Sequence, residues 1–312
     1  MIDTLNMWID TAAMASGNPF DITAYLSNVE EKQSERQGYR CSGTIGNYQA
    51  TITSRGIFLY GSLSKYYLPS NVYTLTRRQI GEALQMMSDQ LHIDVSAATV
   101  TRADISTVIP TKRPPADYYS ELGSKERFTR LQTHPDTLEY LTKKRVLVFY
   151  DKRKEAAAKK AIEPPTLADC PHLLRYELRF MAQPHRQLKQ ADPIPAARLA
   201  NQDFYCLLVQ RWKQEFDTIK KLHRHTLTME NVKTPNDVNN AVLGYLMQQY
   251  GGQELIDTII ADLKARNQFA DPKYYSRARS NLNKVLQAAG GQESDLMREL
   301  EKAIADIARY AR

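Results

Sequence analysis

The sequence has few cysteines and no long apolar run. The number and wide spacing of its three cysteines, at positions 41, 170 and 206, exclude a disulfide framework or a zinc cluster. We expect all three to be buried free thiols. The most apolar stretch, residues 241–247, is far shorter than the roughly 20 residues that cross a bilayer, and the first dozen residues lack a secretory pattern. We therefore expect a cytoplasmic protein without membrane contact.

A strong excess of one charge is also absent from the whole chain, but basic residues are locally concentrated. There are 42 Lys and Arg against 35 Asp and Glu, which gives a net charge of +7. Between residues 143 and 160, eight basic residues stand against two acidic ones. Such an excess attracts phosphates, although a solvated surface has the same composition. Charge alone leaves both interpretations open.

The pattern of apolar residues changes near residue 185. The 312 residues, 42% hydrophobic and 25% charged, are typical of a globular protein with about two domains. Before the change, short β-branched and aromatic segments predict strands at 49–53, 56–61, 98–109, 145–150 and 173–181. Helical spacing predicts helices at 77–91 and 114–122. After residue 195 only helical spacing remains, so we predict a sheet domain at 1–185 and an all-helical domain at 196–312, separated by the proline-containing segment 184–195.

Two predicted strands carry charges where apolar residues are expected. The two-residue period of a strand places Arg102 and Asp104 on one face, and likewise Arg175, Glu177 and Arg179. Charges in the middle of a strand are costly unless they are paired or bind metal. Two interpretations stay open at this point: an arginine–carboxylate ladder between neighbouring strands, or a functional site.

A third strand ends in Tyr150, and Lys152 follows on the same face at the edge of the basic segment. A tyrosine hydroxyl is a poor nucleophile at its ordinary pKa of about 10, but a nearby cation stabilises its phenolate. Tyr150 beside Lys152 meets that requirement. A tyrosine at the wet end of a strand is also ordinary in a chain with 18 tyrosines.

Taken in order, these motifs resemble a known family. They are MID at 1–3, GSLSKYY at 61–67, TRADI at 101–105, VLVFYDK at 146–152 and LRYELR at 174–179. Together they resemble the filamentous-phage gene II type and related phage and plasmid rolling-circle replication initiation (Rep) proteins. The resemblance implies an antiparallel-sheet α+β nicking domain. Such an enzyme cuts one strand of a double-stranded origin, keeps the 5′-phosphate on tyrosine, leaves a 3′-OH primer and later joins strands.

The resemblance also implies roles for single residues. Tyr150 is the nucleophile, Lys152 is a phosphate contact, and Asp104 and Glu177 are the metal-binding carboxylates. Oxygen ligands favour Mg²⁺ or Mn²⁺ over zinc. The third ligand is left open, and the candidates are Asp3, Asp136 and Glu139.

The expected partners are double-stranded and single-stranded origin DNA and a host helicase in the bacterial cytoplasm. Residues 43–46 lack the spacing of a nucleotide-binding loop, so a separate ATP-driven protein must unwind the duplex. The oligomeric state is open, and the alternative function is a non-catalytic origin-binding regulator on the same fold. The residues expected to contact DNA are Arg102, Arg175, Arg179, Lys154, Lys273 and Arg277.

Two other patterns are interpreted as structural. Many rolling-circle enzymes bind metal through a His-hydrophobic-His motif, whereas His223 and His225 flank a charged residue in the helical half. We interpret these two histidines as a surface pair. The neighbouring Tyr118 and Tyr119 diverge by about 100° on a predicted helix, so we expect them to pack in the core rather than act as a pair of nucleophiles.

Overall fold

The structure, a computed structural model, describes residues 1–14, 17–34, 38–68, 70–159, 170–222, 232–288 and 295–310. Contacts divide the chain into two units. One comprises Met1–Lys220 together with Leu300–Arg312, and the other comprises Lys221–Glu299. None of the helices in the described residues is both long enough and apolar enough to span a bilayer.

The first unit is built on a ten-stranded sheet. Its strands are β1 (Ile2–Asp10), β2 (Ser27–Ser34), β3 (Gly38–Ile45), β4 (Tyr48–Thr53), β5 (Gly56–Ser62), β6 (Thr99–Thr111), β8 (Thr129–His134), β9 (Thr137–Leu141), β10 (Arg145–Asp151) and β11 (His172–Phe180). Their order is β2-β3-β4-β5-β1-β6-β11-β10-β9-β8, and every neighbouring pair is antiparallel. Strands β7 (Leu122–Lys125) and β12 (Ile219–Lys221) form a separate two-stranded sheet.

Helices connect several of these strands and are the main elements after the sheet in the described part of the chain. They are α1 (Leu63–Tyr67), α2 (Arg77–Leu91), α3 (Pro115–Tyr119), α4 (Lys152–Ala158), α5 (Pro184–Gln187), α6 (Gln202–Asp217), α7 (Pro235–Gln249), α8 (Gln253–Ala265), α9 (Lys273–Ala288) and α10 (Asp295–Tyr310). Short 3₁₀ helices lie at Thr11–Ala13, Pro19–Tyr25 and Ala196–Ala200. The predicted α+β class, with an antiparallel sheet followed by helices, is confirmed.

One face of the sheet forms the core of the first unit. Helix α6 packs on it through Trp212, whose ring centroid lies 4.8 Å from that of Tyr176 on β11. The Tyr176 hydroxyl also donates to the Trp212 carbonyl at 3.0 Å. Side chains alternate between the two faces of a strand, so the residues flanking Tyr176, namely Arg175 and Glu177, lie on the opposite face. That opposite face carries the site described below.

The second unit has a small apolar core of its own. Met247 on α7 packs with Ile256 and Ile260 on α8, and side chains of α9 such as Leu282 and Val285 cover them. The all-helical character predicted for 196–312 is confirmed for the described residues from Pro235 to Tyr310, whereas Ile219–Lys221 form strand β12.

Most predicted segments coincide with observed elements within two residues. The exception is the helix predicted at 114–122, which ends at Tyr119 because β7 begins at Leu122. The cysteine prediction was partly wrong. All three are free thiols, but only Cys41 is buried, whereas Cys170 and Cys206 are partly exposed.

Candidate active site

The strand register brings the charged residues of β6 and β11 and Tyr150 of β10 onto one face of the sheet. Asp104 of β6 lies opposite Arg179 of β11, and Tyr150 of β10 lies opposite Arg175. Strand β11 lies between β6 and β10, so its alternate side chains contact both neighbouring strands. The side chains alternate between the two faces of each strand, as the sequence predicted. The strand register further shows which residues of neighbouring strands lie opposite each other.

Arg175 is the most deeply buried of these charges, with no exposed surface. Its Nε donates to Glu177 Oε1 at 2.8 Å, and its Nη2 donates to Ser106 Oγ at 2.7 Å and to the carboxylate of Asp3. Its Nη1 donates to the Asn71 carbonyl. Burial opposes the charged form, but the neighbouring carboxylates, Asp3 first, raise the pKa of Arg175 above its ordinary value. The guanidinium is therefore a fixed buried charge.

Glu177 accepts hydrogen bonds on both of its oxygens. Oε1 accepts from the Tyr150 hydroxyl at 2.9 Å, in addition to Arg175, and Oε2 accepts from Arg179 Nε at 2.8 Å. Burial alone would raise the pKa of Glu177, but Arg175 and Arg179 outweigh burial and lower it to about 2. Glu177 is consequently ionised at neutral pH.

Tyr150 is partly exposed, and its hydroxyl proton is directed at Glu177. Burial is the largest influence on its pKa, which it raises above the ordinary value of 10, while the charge of Arg175 acts in the opposite direction. The phenol is therefore protonated at neutral pH. To act as a nucleophile it must lose that proton, and Glu177 is the acceptor in contact with it.

Asp104 is held by a bidentate contact with Arg102. Arg102 Nε donates to Oδ1 at 2.9 Å and Nη2 donates to Oδ2 at 2.7 Å, while Arg179 Nε lies 3.9 Å from Oδ2. Burial raises the pKa of Asp104, and Arg102 opposes that shift. The contacts form what we call the ionic row, and its members in order are Arg102, Asp104, Arg179, Glu177, Tyr150 and Arg175. Most of these ion pairs lie within a single strand, and the contact between Arg179 and Asp104 joins the neighbouring strands β11 and β6.

Lys152 begins α4, directly after the strand that carries Tyr150, and its side chain is buried. Its Nζ donates to Asn71 Oδ1 at 2.9 Å and to Glu155 Oε2 at 2.6 Å. Burial lowers the pKa of Lys152, and the nearby Arg175 acts in the same direction. Asn71 thus contacts both buried cations, a role that nothing in the sequence pattern around it indicated.

The two expected metal ligands do not fit a divalent cation in this arrangement. All four carboxylate oxygens of Asp104 and Glu177 already accept hydrogen bonds from a guanidinium or from the Tyr150 hydroxyl. Within the described ranges, no group of three or more His, Cys, Asp and Glu side chains is arranged to hold a metal ion. A cation would have to displace guanidinium groups from these oxygens.

Two of the three candidates for a third metal ligand, Asp3 and Asp136, accept hydrogen bonds from other side chains. Asp3 joins the row through Arg175, and its other oxygen accepts from Ser62 Oγ at 2.5 Å. The Asp136 carboxylate accepts from Lys154 Nζ. Glu139 on β9 lies opposite Val148 of β10.

The remaining residues expected to contact DNA lie outside the ionic row. Lys154 is exposed, and its hydrogen bond to Asp136 raises its pKa. Lys273 and Arg277 belong to the second unit, where both are exposed one turn apart on α9. The Arg277 guanidinium lies 5.7 Å from the centroid of the Tyr274 ring.

The patterns interpreted as structural have different outcomes. Tyr118 and Tyr119 are fully buried, as the packing interpretation predicted, and burial raises the pKa of Tyr119. His223 and His225 lie outside the described residues.

Comparison with known proteins supplies the family. A search of curated proteins finds no match. The family profile described as the N-terminal part of the gene II type phage replication-associated protein matches residues 1–212, which is well over half of the chain and includes every residue of the ionic row. The chain therefore belongs to the family of phage replication-associated proteins that this N-terminal profile defines.

Proposed function

We propose that this chain initiates rolling-circle replication by nicking one strand of a double-stranded origin. Tyr150 attacks the scissile phosphate and keeps the 5′-phosphate as a phosphotyrosine, which leaves a 3′-OH primer and allows later strand joining. The observation that carries the proposal is the hydrogen bond from the Tyr150 hydroxyl to Glu177, within a row of guanidinium groups, in a chain of this replication family.

The chemistry requires one proton to leave the phenol and one to reach the departing oxygen. The phenolic oxygen forms a bond to phosphorus as the bond from phosphorus to the 3′-oxygen breaks. Glu177 orients the phenol and accepts its proton transiently, because a carboxylate with a pKa of about 2 does not retain it at neutral pH. Arg175 stabilises the developing phenolate.

Buried Lys152 is the candidate partner for the phosphate and the leaving group. An ammonium whose pKa is lowered by burial gives up a proton more readily than a solvated lysine does. Arg102 and Arg179 at the other end of the row suit flanking phosphates, since each guanidinium has several donors in a plane.

The expected cofactor and protein partner remain part of the proposal. Mg²⁺ or Mn²⁺ is proposed from the family resemblance alone. To reach Asp104 and Glu177 it would have to displace guanidinium groups, and none of the steps above depends on it. The partners proposed are origin DNA, first as a duplex and then as single strands, and a host helicase that unwinds the duplex ahead of the primer.

Replacement of Tyr150 by Phe tests the proposal. The variant loses only the nucleophilic oxygen, so we expect no nicking of supercoiled origin DNA and no covalent protein–DNA adduct. Phosphate contacts dominate DNA affinity, which should therefore change little. The assay compares relaxation of the plasmid, adduct formation in denaturing gels and filter binding.

Tyr66→Phe is the matched control. The Tyr66 hydroxyl also donates a hydrogen bond to a side-chain oxygen, Gln90 Oε1, at 2.7 Å, but Tyr66 lies outside the ionic row. This variant should nick normally. If Tyr150→Phe still formed the adduct, another tyrosine would be the nucleophile. If the native protein bound the origin without nicking it under any metal condition, the chain would be a non-catalytic origin-binding regulator.

A further inference from the structure

A cavity of about 390 Å³ opens beside the Arg102 end of the ionic row. Arg102 lies opposite Asn6 of β1, which in turn lies opposite Tyr60 of β5. Phe58 is two residues from Tyr60 and shares its face, so the floor of the cavity is the same sheet face that carries the row. The cavity is therefore continuous with the candidate active site.

The lining of the cavity combines an aromatic face with amide and cationic groups. Phe58 lines the cavity, and its ring stacks on that of Tyr60 with centroids 5.4 Å apart and planes 28° apart. Asn6 and Gln183 bring side-chain amides, and the Gln183 Oε1 accepts from Lys144 Nζ at 3.1 Å, which orients that amide.

Arg102 lies at the rim with a fixed orientation. Its two hydrogen bonds to Asp104 hold the guanidinium plane, and Arg102 is one of the residues that line the cavity. Its side chain is about one quarter exposed. A guanidinium held this way is placed to contact the phosphate next to whatever group enters the cavity.

These features together match an unpaired nucleobase. Aromatic rings bind single-stranded nucleic acid by stacking, and a base inside a duplex cannot offer its face to Phe58. Asparagine and glutamine amides recognise base edges through paired hydrogen bonds. Ligand cavities in proteins start at about 300 Å³, so the volume suffices for one base.

The distance from the nucleophile also suits one DNA strand. Tyr150 lies opposite Arg175, and Arg179 lies four residues farther along β11. At ~3.3 Å per residue, Arg175 and Arg179 are about 13 Å apart along the strand. The cavity lies beyond the Arg179 end of the row, past Asp104 and Arg102. A strand whose phosphate reaches Tyr150 can therefore extend along the row to the cavity.

We propose that this cavity binds one unpaired base of the strand that is cut, stacked on Phe58 and contacted at its edge by Asn6 and Gln183. The inference rests on the proposed nicking function and adds to it a base-reading position away from the cleaved bond. Sequence selectivity at that position then comes from the amides, while Arg102 contacts the adjoining phosphate.

The test uses the Tyr150→Phe protein, so that no cleavage interferes, and single-stranded oligonucleotides that span the cleavage site. A 2-aminopurine is placed at each position in turn. We expect one position, a few nucleotides from the cleaved bond, to lose fluorescence on binding. Adding Phe58→Leu should abolish that quenching and weaken binding about 5- to 150-fold, the range for loss of one stacked base.

Tyr39→Leu is the matched control, since Tyr39 is another exposed strand aromatic that does not line the cavity. It should leave quenching and affinity unchanged. Phe58→Trp retains a stacking surface and should retain binding, which separates loss of stacking from misfolding of the Leu variant.

Three results would overturn the inference. They are quenching that is independent of Phe58, equal oligonucleotide affinity in the Phe58→Leu protein, and binding of a free mononucleotide as tight as that of the oligonucleotide. Because the readout is binding, its failure is distinct from failure of the nicking proposal. A native protein that nicks without a Phe58-dependent base contact would refute the cavity assignment alone.

Discussion

Arg175 depends on its carboxylate partners more than any other side chain of the ionic row. It has no exposed surface, and Glu177 and Asp3 balance its charge. Removing one partner of a buried ion pair leaves a charge without compensation, which typically costs about 3–5 kcal/mol. We therefore expect Glu177→Ala to lower the free energy of unfolding by about that amount, measured by urea denaturation.

The matched control is Glu126→Ala, which removes one partner of the exposed pair with Arg127. Exposed pairs contribute little, so the change should stay below about 1 kcal/mol. Equal effects in the two variants would contradict the buried-pair account. The comparison matters for function too, because loss of nicking in a Glu177 variant counts as catalytic only if the protein remains folded.

Glu177 also predicts a pH dependence of stability. Its pKa is about 2 in the folded protein and about 4.5 as an ordinary glutamate, so its stabilising effect is complete above pH 4.5 and is lost as the pH falls toward 2. This difference between the two pKa values corresponds to about 3 kcal/mol of folding free energy. The pKa of Asp104 is raised, so protonation of Asp104 stabilises the folded protein as the pH falls, which is opposite to the effect of Glu177.

Comparing native protein with Glu177→Gln isolates this contribution. Between pH 5 and pH 3 the urea midpoint should fall more steeply for the native protein than for the variant. Parallel curves would show that Glu177 is not the group responsible.

For single residues, the sequence predicted which side chains share one face of a strand but not which side chains they contact. The alternation correctly placed Arg175 and Glu177 side by side on one face, because the strand period is two whatever the fold. Which residues lie across from them depends on strand order, and Asp3 reaches Arg175 from 172 positions away. Asn71 lies in no periodic segment, so no pattern could have identified it.

Among the elements, the β4–β5 hairpin has a strict requirement for glycine. Gly56 has φ +151°, and a Cβ there would lie 2.1 Å from the Ile9 carbonyl oxygen of β1. Because β1 lies between β5 and β6 in the sheet, its backbone cannot shift away from that Cβ without disturbing its hydrogen bonds to both strands. We expect Gly56→Ala to lower the unfolding free energy by about 1–3 kcal/mol, measured by urea denaturation.

Gly81 in α2 is the contrasting glycine. A Cβ at that position meets only the Ala200 Cβ, at an ordinary 3.7 Å. Alanine is the better helix former, so Gly81→Ala should stabilise the protein by about 0.5–1 kcal/mol. If both substitutions shifted stability in the same direction, the steric argument for Gly56 would be wrong.

Local signals were sufficient for elements with strong periodicity or clear ends. Helix α2 begins and ends where predicted, and a capping box at Thr76 with Gln79 fixes its first turn. The edge strand β8 is exposed along its whole length, so it lacks the apolar alternation that marks a half-buried strand. Strand order was not accessible, since β1, β6 and β11 are neighbours despite their separation in sequence.

For the whole molecule, we predict DNA binding shared by both units and steeply dependent on salt. Each phosphate contact that is lost reduces the slope of log affinity against log salt by about 0.9 on duplex DNA. Lys273→Gln combined with Arg277→Gln should therefore flatten the slope by about 2, and Lys154→Gln by about 1. Fluorescence anisotropy at several salt concentrations measures these slopes.

Lys264→Gln, on α8 of the second unit, removes an exposed charge that is not among the predicted contacts and serves as the control. An unchanged slope in the double variant would show that α9 does not contact DNA. The second unit would then bind another protein, such as the helicase or a second copy of the chain.

The central position of β11 has a consequence for synthesis of the protein on the ribosome. This strand comes last among the ten yet lies between β6 and β10, so it joins the strands made early to those made just before it. Such distant pairing forms slowly because long stretches of chain must first be brought together. A nascent chain that stops before His172 lacks Arg175 and Glu177, so Tyr150 lacks the carboxylate that accepts its hydrogen bond. On the proposed mechanism, such incomplete chains cannot nick origin DNA.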